Sequence, residues 1–268
     1  MRYTDPDFSI LQQEITPREM QQLTETVEML SRFKGLPNYE WLNQTLTELK
    51  VRFGLEGTAK DSVAFAHNDN LVGLRWFEPL FQAINSKRVV AVMYHRFGKP
   101  ERQRVIHPYQ LRQYNYRWYL VGREDCLRER HRQVVLPIDR MSDVKTLDDV
   151  EFRPESAYQI ERHFNNNVGE SVLPEGKVEV VRVKAWSYAA DYMETKPIHF
   201  SQRVIDENDN VNENGEAYKK FEWRVQVNEE LVQQLLVYAD QSEILQPESL
   251  KNKISERAKA ILEANDRN

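Results

Sequence analysis

The strongest constraint on the fold of this chain is a group of short segments in its middle third that have the period of β-strands. From Val89 to His95 the residues alternate with a period of two, which is typical of a strand. Further short strands are predicted at residues 104–107, 111–114, 118–122 and 133–136. So small a sheet protects its edges poorly, and we therefore expect these five strands to close into a small barrel.

Helical patterns precede the strands. Thr16-Pro17-Arg18-Glu19 has the form of a capping box with proline at the first helical position, and Gly35 is expected to end that helix. A second helix is predicted at about residues 38–53, and a third apolar stripe at helical spacing runs over residues 74–84. These amphipathic helices favour a homodimer over a monomer, with contacts expected from residues 16–53 and 178–268.

The remaining sequence predicts a connector and a second mixed unit. Residues 151–177 are expected to form the connector, with a short helix and an asparagine-rich breaker. The last unit follows the order strand, helix, two strands and helix, with a terminal helix after Pro247. The predicted fold class is therefore α+β: N-terminal helices over 1–85, a small barrel over 86–150, and a ferredoxin-like α/β sandwich over 178–268.

Charge is distributed unevenly along the chain. The 268 residues include 37 Lys and Arg against 42 Asp and Glu, which gives a net charge of −5. Residues 86–142 alone hold 13 Lys and Arg against 5 Asp and Glu, so a basic island lies in an acidic chain. The whole molecule is therefore not a general coat for nucleic acid, and an anionic partner is expected at the island.

Several classes of protein lack support in the sequence. The single cysteine, Cys126, excludes an intramolecular disulfide and a cysteine-rich zinc site, and it suits a reducing compartment. No apolar run reaches the roughly 18 residues of a membrane helix, and the start does not resemble a signal peptide, so we expect a cytoplasmic protein without membrane contact. Phosphate-binding glycine loops and the common hydrolase and metalloprotease motifs are absent, so we expect neither an enzyme nor a cofactor or metal site.

The most informative stretch interleaves arginines with aromatic residues. It comprises three segments that begin at Arg104, Tyr116 and Leu136 and end at Leu111, Arg123 and Met141. An arginine fork suits phosphate, and an aromatic face suits a nucleobase. Alternatively, the aromatic residues are barrel core and the arginines a solvated rim. Composition alone leaves both interpretations open.

These segments resemble a known family. Trp118-Tyr119-Leu120 is similar to the signature tripeptide of WYL-domain proteins, with His107-Pro108 upstream and Asp139-Arg140-Met141 downstream. Two later segments, residues 196–202 and 243–250, look like the C-terminal extension that follows many WYL domains. The resemblance extends over nearly the whole chain.

The resemblance implies a fold and a function. WYL domains resemble Sm-like or SH3-like barrels, and most belong to bacterial transcription regulators in which the barrel senses an effector, with nucleotides or single-stranded nucleic acid as candidate ligands. It also implies that Asp139 orients Arg140. The residues that the match assigns to a basic ligand pocket or its support are Tyr94, Arg104, His107, Trp118, Arg123 and Arg140.

The resemblance also raises a question about DNA binding. In the family a winged helix-turn-helix precedes the helices described above, and the residues before Thr16 are too few for one. We therefore expect that duplex DNA is bound only through an N-terminal domain that this sequence does not include, either by truncation or by nature. The alternative function is a stand-alone Sm-like protein that binds single-stranded nucleic acid.

Overall fold

The computed structural model describes residues 16–31, 47–48, 51, 72–125, 132–170, 176–208 and 217–266. The helices are α1 (Pro17–Ser31), α2 (Phe77–Asn85), α3 (Ala157–Phe164), α4 (Ser187–Thr195), α5 (Glu229–Leu236) and α6 (Glu248–Asn265). The strands are β1 (Val89–Tyr94), β2 (Arg102–Tyr114), β3 (Arg117–Glu124), β4 (Arg132–Pro137), β5 (Met141–Leu147), β6 (Val178–Trp186), β7 (Arg203–Asn208), β8 (Tyr218–Gln226) and β9 (Ser242–Gln246). Short 3-10 helices precede α2, β5 and β9.

The start of α1 confirms the predicted capping box. The Thr16 backbone N–H donates to Glu19 Oε2 at 2.9 Å, and the Glu19 backbone N–H donates to Thr16 Oγ1 at 3.3 Å. These reciprocal bonds satisfy backbone donors that the first helical turn leaves unpaired. The predicted end at Gly35 lies outside the described residues, as does the second predicted helix, except residues 47–48 and 51, which are helical.

The first sheet has five strands in the order β4-β3-β2-β1-β5, and all neighbours are antiparallel. Its edges are β4 and β5, which do not pair with each other, so the predicted closure into a barrel is wrong. The edges are protected in another way. β4 is short and ends in proline, whereas β5 presents the ion pair between Asp143 and Lys145, and such features discourage pairing with other chains.

Two strands differ from the sequence prediction. Residues 104–107 and 111–114 were expected as separate strands but belong to the continuous β2, whose register to β3 shifts between Pro108 and Gln110. A bulge tolerates proline inside a strand, which explains the continuity. β5 was not predicted, because its mixture of polar and half-buried residues gives a weak periodic pattern.

Helix α2 covers one face of the first sheet. Its Leu80 and Ala83 are buried, and they belong to a cluster with apolar residues of β1 to β4. The approach to this helix requires glycine at position 73, because φ is +92° and a Cβ atom there would lie 2.6 Å from the Asp139 Cα. The helix and the turn that contains Asp139 are therefore held close together.

The second sheet is also antiparallel, in the order β7-β8-β6-β9. Along the chain its elements alternate as β6, α4, β7, β8, α5, β9 and α6, so β9 is an addition to the predicted order. Its core includes the fully buried side chains of Phe221, Trp223, Met193, Leu231 and Leu235. The coarse prediction of an α+β fold is confirmed, and the finer ferredoxin-like assignment stays a prediction.

None of the helices in the described part of the chain combines the length and apolar character needed to span a bilayer.

Candidate ligand-binding pocket

A cavity of about 950 Å³ lies along the open edge of the first sheet. Residues 133–137, five consecutive residues of β4, line it. Val134 and Leu136 belong to the apolar core under α2, whereas Val135 packs with α3 on the opposite face. Because side chains from both faces of β4 line the cavity, the strand edge itself forms its floor. The pocket is thus a consequence of the sheet remaining open.

The opposite wall comes from the second unit and from the segment that leads to it. Asn228 caps α5, since its side chain accepts from the Leu231 backbone N–H at 3.0 Å and donates to the Val168 carbonyl at 2.7 Å. These bonds fix the first turn of α5 against the end of the connector. The residues that complete this wall are Glu170, Asn228, Glu229, Glu230 and Gln233. A ligand in the pocket would therefore contact both units.

Cations outnumber carboxylates around the pocket. Its carboxylates are Glu170, Glu229 and Glu230, of which Glu229 forms an ion pair with Arg257 at 2.8 Å. Its cations are Arg96, Lys99, Arg102, Arg104, Arg117 and Arg140. An excess of guanidinium groups in a concave site is the arrangement that attracts phosphate or carboxylate ligands.

Arg104 is held by an internal partner. Its Nε donates to Glu124 Oε1 at 2.7 Å, and its Nη2 donates to Glu124 Oε2. Both residues are buried, and the guanidinium carbon lies 5.3 Å from the centre of the Tyr94 ring. Because Glu124 compensates its charge, Arg104 stabilises the pocket wall more than it attracts an anion.

Arg140 differs, because it has no carboxylate partner in the described part of the chain. Its guanidinium carbon lies 4.0 Å from the ring centre of Phe97, and its Nε is buried without a hydrogen-bond partner. Arg96 and Lys99 lie in the same turn as Phe97, are exposed, and line the pocket. We call Arg96, Lys99 and Arg140 the outer cation cluster. Cation–π contact with Phe97 orients the guanidinium without neutralising it.

The expected pairing of Asp139 with Arg140 is not observed. Asp139 Oδ2 instead lies 3.3 Å from Arg117 Nη2. The 3-10 turn over Ile138–Arg140 directs the adjacent side chains to different partners. Arg117 is thereby neutralised, whereas Arg140 keeps its charge for a ligand.

Three of the six residues assigned from the sequence lie in the pocket lining, namely Tyr94, Arg104 and Arg140. The other three do not line it. The fully buried His107 accepts the Arg153 backbone N–H at its Nδ1, at 3.1 Å, and its Nε2 lies 3.1 Å from Asp125 Oδ2. This geometry assigns His107 a structural role, fixing the connector to β2.

Trp118 and Arg123 also lie away from the pocket. The half-buried Trp118 packs edge-on against Phe77 of α2, with ring centres 4.8 Å apart, and adds to the apolar core. Arg123 interacts with the hydroxyl group of Tyr109 on the opposite face of the sheet. Neither side chain meets the outer cation cluster, because the two faces of the sheet separate them.

Burial changes the protonation of two groups in the pocket. It raises the pKa of Glu170, although the hydrogen bond from Arg112 Nε at 2.9 Å opposes the change. Burial likewise raises the pKa of Tyr119, with Arg117 acting in the opposite direction. A carboxyl group whose ionisation is disfavoured adds less negative charge, so the pocket repels an anion less than its composition indicates.

Sequence analysis missed several lining residues. Arg96, Phe97 and Lys99 were interpreted as part of a turn, although they show the same interleaving of basic and aromatic residues that was noted further along the chain. Glu170 and Glu230 were missed because their approach depends on tertiary contacts. No spacing in the sequence indicates that connector and α5 meet the edge of β4.

The described residues contain no group of three or more His, Cys, Asp or Glu side chains placed to hold a metal ion.

Family models identify both units of the chain. The model of the WYL domain matches residues 75–146, the range that contains α2, the five strands and Arg140. The chain belongs to the WYL-domain family of regulators. More particularly, its WYL domain is followed by a WCX domain, whose model matches residues 177–262.

Two solved structures are similar to the chain. Proteasome accessory factor B/C (PafBC) of Arthrobacter aurescens shares 18% identity over 95% of this chain and 35% of its own, with a TM-score of 0.33. A crystal structure of a CRISPR Cas-related protein shares 12% identity over 72% of this chain and 52% of its own, with a TM-score of 0.45. This chain thus spans about a third and about half of those two proteins. A search of curated proteins found no match to the sequence.

Proposed function

We propose that this chain is the effector-sensing region of a bacterial WYL-type transcription regulator, and that a nucleotide or other anionic ligand binds in the pocket along β4. The observation that supports this most directly is Arg140, whose guanidinium stacks on Phe97 and has no carboxylate partner among the described residues. A charge held in place without compensation favours an incoming anion, because little side-chain entropy remains to be lost on binding.

The location of the pocket suggests how binding would be transmitted. The ligand would contact β4 of the WYL domain on one side and the first turn of α5 in the WCX domain on the other. It shifts the arrangement of these units only if it binds one arrangement more tightly than another. In the proposal, this shift changes a homodimer formed by residues 16–53 and 178–268 and controls a DNA-binding domain outside this sequence.

A second candidate is a stand-alone protein that binds single-stranded nucleic acid. The observation that favours it is the length of the pocket, which follows five consecutive residues of β4, roughly 17 Å of strand. Six cations along such a groove would suit several successive phosphates.

Salt dependence distinguishes the two candidates. The affinities of GMP and of a twelve-residue oligothymidylate are measured by calorimetry between 50 and 200 mM salt. A polymer held by Z phosphate contacts loses affinity with a log–log slope of about −0.7Z. The effector-sensing function predicts that GMP binds and that its slope is close to −1 or shallower. Binding of the oligonucleotide alone, with a steep slope, would support the second candidate instead.

A further inference from the structure

The pairing of β4 with β3 reveals which main-chain groups of β4 face the pocket. Pro137 pairs with Tyr119 at the end of this ladder. Proline has no backbone N–H, so this pair belongs to the class in which the two residues do not hydrogen-bond to each other. The two classes alternate along an antiparallel ladder. Val135, opposite Val121, and Gln133, opposite Arg123, are therefore of the same class as Pro137.

In pairs of this class, the N–H and C=O groups of each residue point away from the partner strand. For Gln133 and Val135, the direction away from β3 is the open edge of the sheet, where both residues line the pocket. No backbone hydrogen bond to these outward groups is formed within the described part of the chain. The pocket floor thus presents two N–H donors and two C=O acceptors of the main chain.

Each of these residues places a donor beside an acceptor, and a nucleobase has the complementary pattern on its Watson–Crick edge. In guanine, O6 accepts and the neighbouring N1–H donates. We propose that the outward main chain of Gln133 and Val135 binds the Watson–Crick edge of an unpaired nucleobase while the outer cation cluster holds the phosphate of the same nucleotide. This inference rests on the proposed function and names its ligand as a nucleotide whose base is free of a pairing partner.

An open strand edge also suits an extended peptide, which would add a further strand to the sheet. The charge distribution favours the nucleotide. The outer cation cluster comes from the turn after β1 and the turn before β5, beyond the two ends of β4. A ligand with its anionic group at one end and its hydrogen-bonding edge at the other matches this separation, and a nucleotide has that form. Binding of an acidic peptide is therefore an outcome that the test includes.

The test removes one main-chain donor without changing a side chain that contacts β3. Val135→Pro deletes the outward N–H, and Pro137 shows that β4 accepts proline at a position of this class. Gln133→Pro makes the same change at the other residue. Val135→Thr keeps the N–H and serves as the matched control, and melting curves confirm that all variants are folded.

The ligands are GMP, 1-methyl-GMP, ribose 5-phosphate and an acidic pentapeptide, each titrated by calorimetry. The wild type should bind GMP at least about tenfold more tightly than 1-methyl-GMP, whose methyl group blocks the base edge, or ribose 5-phosphate, which lacks a base. At least one proline variant should weaken GMP by about three- to tenfold and leave ribose 5-phosphate unchanged. Val135→Thr should bind GMP as the wild type does.

The failures of the two proposals differ. Equal binding of GMP and 1-methyl-GMP, both weakened by Arg140→Ala, would overturn the base-edge inference and leave the anion pocket intact. Peptide binding that the proline variants abolish, without any effect of these variants on GMP, would assign the edge to a peptide and also overturn it. If no ligand binds the folded wild type, both the inference and the proposed function are wrong.

Discussion

Arg104 and Glu124 form a buried ion pair in which two guanidinium nitrogens donate to the two carboxylate oxygens. The pair joins β2 to β3 beneath the pocket, at the end where the sheet stays open. Sequence analysis placed Arg104 among the ligand-binding residues, and the structure gives it a partner within the protein. The same residue type therefore serves two purposes in this pocket, support at Arg104 and exposed charge at Arg140.

Arg104→Ala should destabilise the protein. Removing one partner leaves the buried Glu124 carboxylate uncompensated, which costs about 3 to 5 kcal/mol. The free energy of unfolding, measured by urea denaturation, should fall by that amount. The double variant Arg104→Ala/Glu124→Ala should recover part of the loss. A single variant as stable as the wild type would show that the ion pair does not support the fold.

Trp118→Ala and Phe97→Ala should have opposite consequences. Trp118 packs against Phe77, so its truncation should cost about 3 kcal/mol of stability, toward the lower limit for tryptophan because the indole is half-buried. Phe97 is 66% exposed, so Phe97→Ala should leave the melting temperature nearly unchanged and weaken GMP binding through loss of its contact with Arg140. Melting curves and titrations of both variants test this, and a stable Trp118→Ala protein with lost binding would contradict it.

Local patterns predicted most elements of the fold. The capping box at Thr16 and Glu19 and the stripe of α2 depend on residues close in sequence, and both were found where expected. Closure of the barrel depends on whether β4 and β5 meet, which no local pattern encodes. The bulge at Pro108 joined two predicted strands, because proline in a sequence indicates a break more often than a bulge.

The site was predicted less completely than the fold. Arginines and aromatic residues on strands were recognised as a group, but alternation assigns neighbouring strands to two faces only when their register is known. Arg123 and Arg140 therefore seemed equivalent in sequence, although the sheet separates them. The contribution of Glu170 arises from the packing of the connector on β2, which sequence spacing does not reveal.

The stability of the fold should depend on pH through His199. Burial lowers the pKa of this side chain below its ordinary value of 6.5. Below that pH the unfolded chain binds a proton that the folded protein resists, so the free energy of unfolding should decrease as the pH falls, by up to about 1.4 kcal/mol per unit. His199→Gln should flatten this part of the profile relative to the wild type. Parallel profiles of the two proteins between pH 5 and 8, measured by denaturation, would refute the contribution.

The proposed homodimer can be tested without a ligand. Sedimentation equilibrium at tens of micromolar protein should show a species of twice the monomer mass of 31.8 kDa. Amphipathic helices in residues 16–53 are expected to contribute to the contact, so removal of this segment should shift the equilibrium toward monomer. A monomer at all concentrations of the intact chain would contradict the proposal.

The central claim is that the uncompensated charge of Arg140 binds an anion in the pocket. The most direct measurement is a calorimetric titration of GMP into the wild type, Arg140→Ala and the control Arg224→Ala, which changes an exposed arginine of β8 away from the pocket. Loss of a charge-assisted hydrogen bond should weaken binding to Arg140→Ala by roughly 10- to 150-fold, while Arg224→Ala binds as the wild type does. Equal affinities of the folded wild type and Arg140→Ala would contradict the account.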